Sequence, residues 1–230
     1  MRTSVLLAAA AAVGLALYVS RNRAAAGDGL AWGWADNLDQ PYITNLGGGL
    51  VEGVNEISNT LGEIWEEITG GLMGISSMKN VTRADVAHPN VQAFLRVIRR
   101  GEGTAGENGY RTLFGGGLFN GYADHPRVKV SKSGYTSTAA GAYQFLASTW
   151  DETKRVMGLA DFSPANQDLG AVGRILYRGA LADVKAGRFE VAVKKVAKEW
   201  ASMPGSPYGQ PVITMATAHS VYAAAGGAYA

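Results

Sequence analysis

The sequence predicts an α+β fold: a mostly helical domain with a small β-hairpin, preceded by an N-terminal apolar helix and an amphipathic helical linker. Three observations carry this reading. Apolar residues recur at three- and four-residue spacing in several windows between residues 91 and 225, the period of helices that bury one face. Between two of those windows, residues 110–122 (YRTLFGGGLFNGY) are aromatic and glycine-rich without that period, and read as a short hairpin or irregular sheet. Upstream, an Arg-flanked apolar run is followed by an acidic periodic stretch. Helices around one small β element make the class α+β.

Charge divides the 230 residues into three segments. Residues 1–23 hold Arg2, Arg21 and Arg23 and no acid, whereas residues 24–78 hold eight acids and no Lys or Arg. Of the chain's 21 basic and 19 acidic residues, 18 and 11 therefore remain beyond residue 78, a balance of +7. The domains follow as a hydrophobic signal or anchor segment at 1–23, an acidic linker with an amphipathic helix at 24–87, and a basic domain at 88–230. Across the whole chain an apolar content of 47 % is enough for a core to be buried. Its charge suits an anionic polymer. No basic stripe interleaved with aromatics and no nucleic-acid motif is present, so no nucleic-acid partner is expected and acidic bacterial cell wall is the better candidate. The absence of cysteine excludes a disulfide framework, a thiolate nucleophile and Cys-based zinc sites.

Residues 5–19 (VLLAAAAAVGLALYV) are uncharged, but as a helix they reach only roughly 22 Å against a hydrocarbon core of roughly 30 Å. About half of them are Ala or Gly, which weakens the span further. Membrane contact through residues 4–20 is expected. An uncleaved or weakly held anchor ranks above a cleaved secretory signal, because Arg21 and Arg23 stand between the apolar run and the small-residue site Ala24-Ala25-Ala26. Residues 27–40 form a linker in which Trp32 and Trp34 suit an interface. Leu50, Val54, Ile57, Leu61, Ile64 and Ile68 then form a seam, with Glu52, Glu56, Glu63, Glu66 and Glu67 falling away from it. Roughly two and a half heptads are fewer than a coiled coil requires. Self-association or docking on a virion partner through residues 46–72 is one reading; a helix that covers the downstream domain is the other.

The domain opens near residue 88, where the charge changes and Pro89 stands at a first helical position. Val91, Phe94, Leu95 and Ile98 mark the first helix, which runs out at Gly101-Glu102-Gly103. Residues 138–157 resume helical spacing through Tyr143, Leu146, Trp150 and Val156. Ser163-Pro164 starts a helix through Leu169, Val172 and Leu176, and further helices are read at 188–203 and 212–225.

Glu102 is the candidate acid. At a helix C-terminus the negative end of the dipole disfavours a second negative charge and pushes a carboxyl toward its protonated form, as a general acid requires. Glycine on both sides lets the backbone of a polymeric substrate approach. Taken alone, Gly-Glu-Gly reads more readily as a surface helix cap; the downstream motifs reverse that preference. These are the aromatic and glycine-rich residues 110–122, Asp124-His125-Pro126-Arg127, residues 137–144 (STAAGAYQ), Asp161-Phe162-Ser163-Pro164, Gln167-Asp168, and residues 200–205 (WASMPG) with Tyr208-Gly209-Gln210.

This ordered set resembles the phage lambda endolysin family, lysozyme-fold peptidoglycan lytic transglycosylases, over residues 88–228. The resemblance implies that Glu102 is the single catalytic glutamate and that Tyr143 and Gln144 belong to the substrate cleft, with Ser137, Gly141 and Gln210 expected along it. Ala142 departs from the family, which usually has Arg there, and this bears on saccharide affinity. Tyr110, Tyr122 and Tyr208, set beside Gly and polar residues, are the candidates for stacking on sugar rings, whereas Trp150 and Trp200 read as core.

Most glycosidases use two carboxylates. Here the nearest are Glu107, in a Gly-rich loop, and Asp124, where an Asp capping a turn is the commoner explanation; position 111, where the T-even type of muramidase places its Asp, is Arg. A one-carboxylate transglycosylase that leaves 1,6-anhydro-N-acetylmuramic acid needs no partner. His88, His125 and His219 lack a carboxylate cluster, so no metal site is expected, nor any cofactor. Gly115-Gly116-Gly117 lacks the Lys-Ser/Thr of a phosphate loop and reads as a tight turn. The expected location is the virion and/or the host inner membrane facing the periplasm, with entry favoured over lysis. A non-catalytic structural or wall-binding module is the alternative class, and it gives no reason to keep Glu102 between glycines.

Overall fold

A computed structural model describes residues 74–132 and 134–230. The apolar run, the Trp-bearing linker and the acidic seam through residue 68 lie outside the described residues. Among the described residues no helix is long and apolar enough to cross a membrane.

Helix α1 (Arg83–Ala87) opens with a capping box, in which Thr82 and Asp85 satisfy each other's backbone N–H groups. Residues 79–87, read as linker in the sequence, pack on the body: Arg83 donates to Asn166 Oδ1 at 2.8 Å and Lys185 pairs with Asp85. Helix α2 (Pro89–Gly101) begins as expected with Pro at its first turn, while the His88 ring Nδ1 accepts from Asn90 N–H at 3.2 Å. Val91, Phe94, Leu95 and Ile98 are all buried, so the spacing identified the buried face correctly. This helix lies at the centre of the described fold, against α1 and against α4 (Pro164–Tyr177), α5 (Leu181–Lys185) and α7 (Met215–Ala224). Helices α3 (Ala147–Met157) and α6 (Phe189–Val196) complete the set. Trp150, Phe145 and Phe162 interlock edge to face in the core, with Trp150–Phe162 ring centroids 4.6 Å apart.

The sheet is one antiparallel hairpin, β1 (Val130–Lys132) and β2 (Tyr135–Ser137), with Ser131 opposite Thr136. It lies downstream of the expected position. Residues 110–122 hold two short 3-10 turns and an isolated bridge between Thr112 and Leu118 instead. Part of their backbone pairs within the stretch, where Phe119 N–H donates to the Arg111 carbonyl at 3.0 Å, and part is used elsewhere: the Thr112 carbonyl accepts from Gly141 N–H at 2.8 Å and from Gln144 Nε2 at 3.1 Å. The glycine run does make the expected tight turn, closed by Leu113 N–H donating to the Gly117 carbonyl at 2.7 Å.

Three helix boundaries also differ from the sequence reading. Residues 138–146 are not helical, because Ala140 bridges both Leu113 and Phe145, and Gly141 and Gln144 adopt positive φ. Helix α6 stops at Val196, since Glu199 turns back to Arg174 and Arg178 (2.6 and 2.7 Å) and the Trp200 indole donates to the Tyr143 carbonyl at 3.1 Å. Helix α7 starts at Met215, where the Thr214 hydroxyl caps Thr217 N–H at 3.1 Å.

Candidate active site

Glu102 is the C-cap of α2, and its N–H donates to the Ile98 carbonyl at 2.9 Å. Its carboxyl Oε1 accepts the Ser202 hydroxyl at 2.6 Å. Ser202 arrives from the turn segment after α6 and is held there by Ile213 N–H, which donates to its carbonyl at 2.9 Å. Gly101 makes this contact possible, since a Cβ at that position would stand 2.6 Å from Ser202 Oγ. Gly103 turns the chain out of the helix at φ +70° with open space around it. Burial pushes the Glu102 carboxyl up to about 6, with the Ser202 contacts opposing. The helix C-terminus that the sequence offered as the cause is present, and the fold adds loss of water around the carboxyl.

Two residues on, Thr104 is 2 % exposed; its N–H donates to the Arg99 carbonyl at 2.8 Å and its hydroxyl to the Ala142 carbonyl at 2.5 Å. This bond ties the Glu102 turn to residues 139–145. Ala142, the departure from the family pattern, is fully buried, and its N–H donates to Gln167 Oε1 at 2.8 Å. The Gln167 amide nitrogen donates to the carbonyls of Tyr110 (3.0 Å) and Phe162 (2.8 Å), so one buried side chain joins three segments around the site. Gly141, at φ +80°, leaves room for that amide; a Cβ would overlap it and stand 2.9 Å from the Phe162 ring.

Tyr110 and Tyr143 both donate to Asp168 Oδ1, at 2.8 and 2.6 Å. Burial, then the Asp168 charge, pushes Tyr110 up to about 12 and Tyr143 well above its ordinary value, so both remain donors at neutral pH. Tyr143 is 2 % exposed and therefore supports the cleft segment from beneath; its ring is not on the surface, as the sequence reading had implied. Tyr110 is half-buried, with the Arg99 guanidinium 4.7 Å from its ring centroid. Gln144 Nε2 is committed to the Thr112 and Gly141 carbonyls. Tyr122 is half-buried with its ring edge on Phe119, and Ser137, at the end of β2, accepts Ala139 N–H at 3.1 Å. Tyr208 is 55 % exposed and donates to the Lys198 carbonyl at 2.9 Å, and Gln210 is exposed. The structure thus joins Tyr110, Gly141, Tyr143 and Gln144 to the Glu102 turn through Thr104 and Gln167. Tyr122 is tied to the same network through its carbonyl, which accepts Phe162 N–H at 2.8 Å, whereas the side-chain bonds of Ser137 and Tyr208 go to Ala139 and Lys198.

Of the two alternative carboxylates, Asp124 is committed to other partners. Asp124 accepts from Lys154 (3.0 Å), Arg127 (3.1 Å) and the Trp150 indole (3.2 Å). Burial opposes ionisation of Asp124, but these donors outweigh it and hold the carboxyl well below the usual carboxylate range. Glu107 is exposed in its loop. The histidines are occupied as well: His88 caps α2, His125 Nε2 meets the Phe145 carbonyl at 2.8 Å, and His219 lies between Tyr229 and Glu190. Ser202 and Gln167 were within the sequence motifs but carried no assigned role. A separation of 100 residues between Ser202 and Glu102 leaves no periodic signal to pair them.

Comparison with known proteins finds relatives over most of the described residues. The family model described as Endolysin matches residues 92–229. The endolysin of Escherichia phage lambda is 40 % identical over 126 residues, 52 % of this chain and 80 % of the relative. The endolysin of Escherichia phage P2 is 38 % identical over 156 residues, 61 % of this chain and 94 % of the relative. Among solved structures, a bacteriophage lambda lysozyme complexed with a chitohexasaccharide superposes with a TM-score of 0.59 at 36 % identity, covering 62 % of this chain and 97 % of that one. A second structure, the lysozyme from bacteriophage lambda, gives 0.55 at 37 % identity, covering 62 % of this chain and 97 % of that one. With Glu102 and residues 139–145 inside the matched region, which covers more than half of the sequence, the chain belongs to the Endolysin family.

Proposed function

We propose that this protein is a lysozyme-like peptidoglycan-degrading enzyme, and specifically a lytic transglycosylase that cleaves between N-acetylmuramic acid and N-acetylglucosamine. The observation that carries the reading is Glu102: a carboxyl raised to about 6 by burial, bonded to Ser202, while Asp124 is locked in ion pairs. Because Ser202 occupies Oε1, the proton belongs on Oε2. Protonated Glu102 gives that proton to the glycosidic oxygen as the bond to the anomeric carbon breaks. The resulting carboxylate accepts the proton of the muramic C6 hydroxyl as O6 bonds to the same carbon, closing the 1,6-anhydro ring. The substrate supplies its own nucleophile already in place, so no water need be positioned. Tyr110, Tyr122, Gln144, Tyr208 and Gln210 are the candidate sugar contacts, with Tyr143, Gly141 and Ser137 shaping the segment that presents them.

The test is mass analysis of the products from purified sacculi. Anhydro-muramic ends support the reading; reducing muramic ends as the sole product would replace it with a hydrolytic muramidase. A second reading concerns where the enzyme acts. The relatives are named endolysins, which fits action at host lysis from a signal-anchored form. Residues 24–78, acidic throughout and upstream of the family match, favour instead a virion-associated enzyme at entry, held by its seam on a particle partner and by residues 4–20 at a membrane. Deleting residues 42–78 and probing purified particles separates the two: absence from particles with normal lysis by the deletion variant assigns the lysis role.

A further inference from the structure

Between the last two turns of α2 and the C-terminal end of α7, a concavity of about 540 Å³ is lined by Arg96, Arg99, Arg100, Ala105, Val221 and the Ala224-Ala225 pair. Arg99 is committed to the site, donating to the Thr104 and Gly106 carbonyls beneath the Tyr110 ring. Arg96 and Arg100 are not. Both are exposed, and the ion pairs of the described residues all involve other cations. Standing four residues apart, they share one face of the helix, where like charges repel. A cation near a helix C-terminus offsets the dipole, which accounts for Arg100. It does not account for Arg96, a full turn further back, or for a concavity that combines guanidinium groups with small apolar side chains.

We propose that this groove binds the peptide stems of peptidoglycan, the short peptides attached to the muramic acid. The inference rests on peptidoglycan being the substrate. A stem peptide carries free carboxylates, which Arg can grip through paired N–H donors, and alanine methyl groups, which fit Val221, Ala224 and Ala225. The groove reaches Ala105, in the loop that leaves Glu102, three residues along the chain from the acid. An anionic membrane is the lesser match, because none of the exposed large apolar side chains of the described residues lines the groove. Peptide stems held here would make the enzyme favour peptide-bearing glycan over bare strands, and would add affinity without taking part in the chemistry.

The experiment uses the full chain carrying Glu102→Gln, so that binding is read without cleavage. Binding to sacculi freed of secondary polymers is compared with binding to glycan strands stripped of peptides by an amidase. Adding Arg96→Glu and Arg100→Glu is expected to weaken binding to sacculi tenfold or more and to leave binding to stripped strands unchanged, while Arg96→Lys with Arg100→Lys retains most of the affinity. Equal loss on both ligands, or loss on neither, overturns the proposal. So does a loss confined to phosphatidylglycerol vesicles, which would assign the groove to lipid. Because no cleavage is involved, a wild-type product analysis that showed hydrolysis would revise the reaction without touching this result.

Discussion

Replacing Glu102 with Gln removes the proton that the proposed reaction uses and also removes a charge that burial disfavours, so activity and stability should move in opposite directions. An ordinary carboxyl titrates near 4.5, and Glu102 is raised to about 6. That difference of about 1.5 pH units corresponds to about 2 kcal/mol, at about 1.36 kcal/mol per unit. The folded chain holds this proton more tightly than the unfolded chain, so the stabilisation is present at low pH, declines from about 4.5 to about 6 and is lost above that window. Gln stays neutral throughout and keeps an oxygen to accept the Ser202 hydroxyl. The variant is therefore expected to lose turnover, to match the wild type in stability near pH 4, and to exceed it by about 2 kcal/mol near pH 7.5. Urea denaturation of the full chain at the two pH values measures this. A variant no more stable than wild type near pH 7.5, or one whose gain is the same at both pH values, would refute burial as the cause of the raised carboxyl.

Other expectations follow from the same geometry. In the wild type, kcat/KM on sacculi should fall as pH rises through about 6, because the acid must be protonated in the free enzyme. Ser202→Ala removes a donor to the carboxylate, and with a charge-assisted bond contributing about 1.5 kcal/mol the falling limb should move up by about one pH unit; an unmoved limb would mean that the hydroxyl does not tune the acid. Asp124→Asn should keep turnover and cost less than about 1 kcal/mol, since its ion pairs are half-exposed, whereas abolished turnover would identify Asp124 as a second catalytic carboxylate. Gly141→Ala forces a Cβ into the Gln167 amide at positive φ and should cost about 3 kcal/mol or more in thermal or chemical unfolding; a near-neutral effect would show that the cleft segment can relax.

What the sequence determined by itself is local. The buried face of α2, the Pro starts of α2 and α4 and the tight glycine turn depend on neighbours within a few residues, so spacing and turn chemistry were enough to read them. Glu102 also stood out as the candidate acid, because the helix that ends beside it is strongly periodic and the downstream motifs keep their order. The tertiary structure decided what depends on distant partners. Tyr143 looked like cleft surface from its motif, yet Asp168 and the Trp200 indole hold its hydroxyl and carbonyl within the core. Residues 138–146 carried helical spacing, yet their backbone groups pair with Thr112 and Leu113 and with one another, and leave no helix. Ser202, 100 residues from Glu102, became part of the acid only when the segment after α6 folded over Gly101. A hydrogen bond between segments far apart in sequence has no period, and burial of a carboxyl is a property of the whole packing around it. For that reason the chemistry of Glu102 could be suspected from the chain, while its proton affinity was set by the fold.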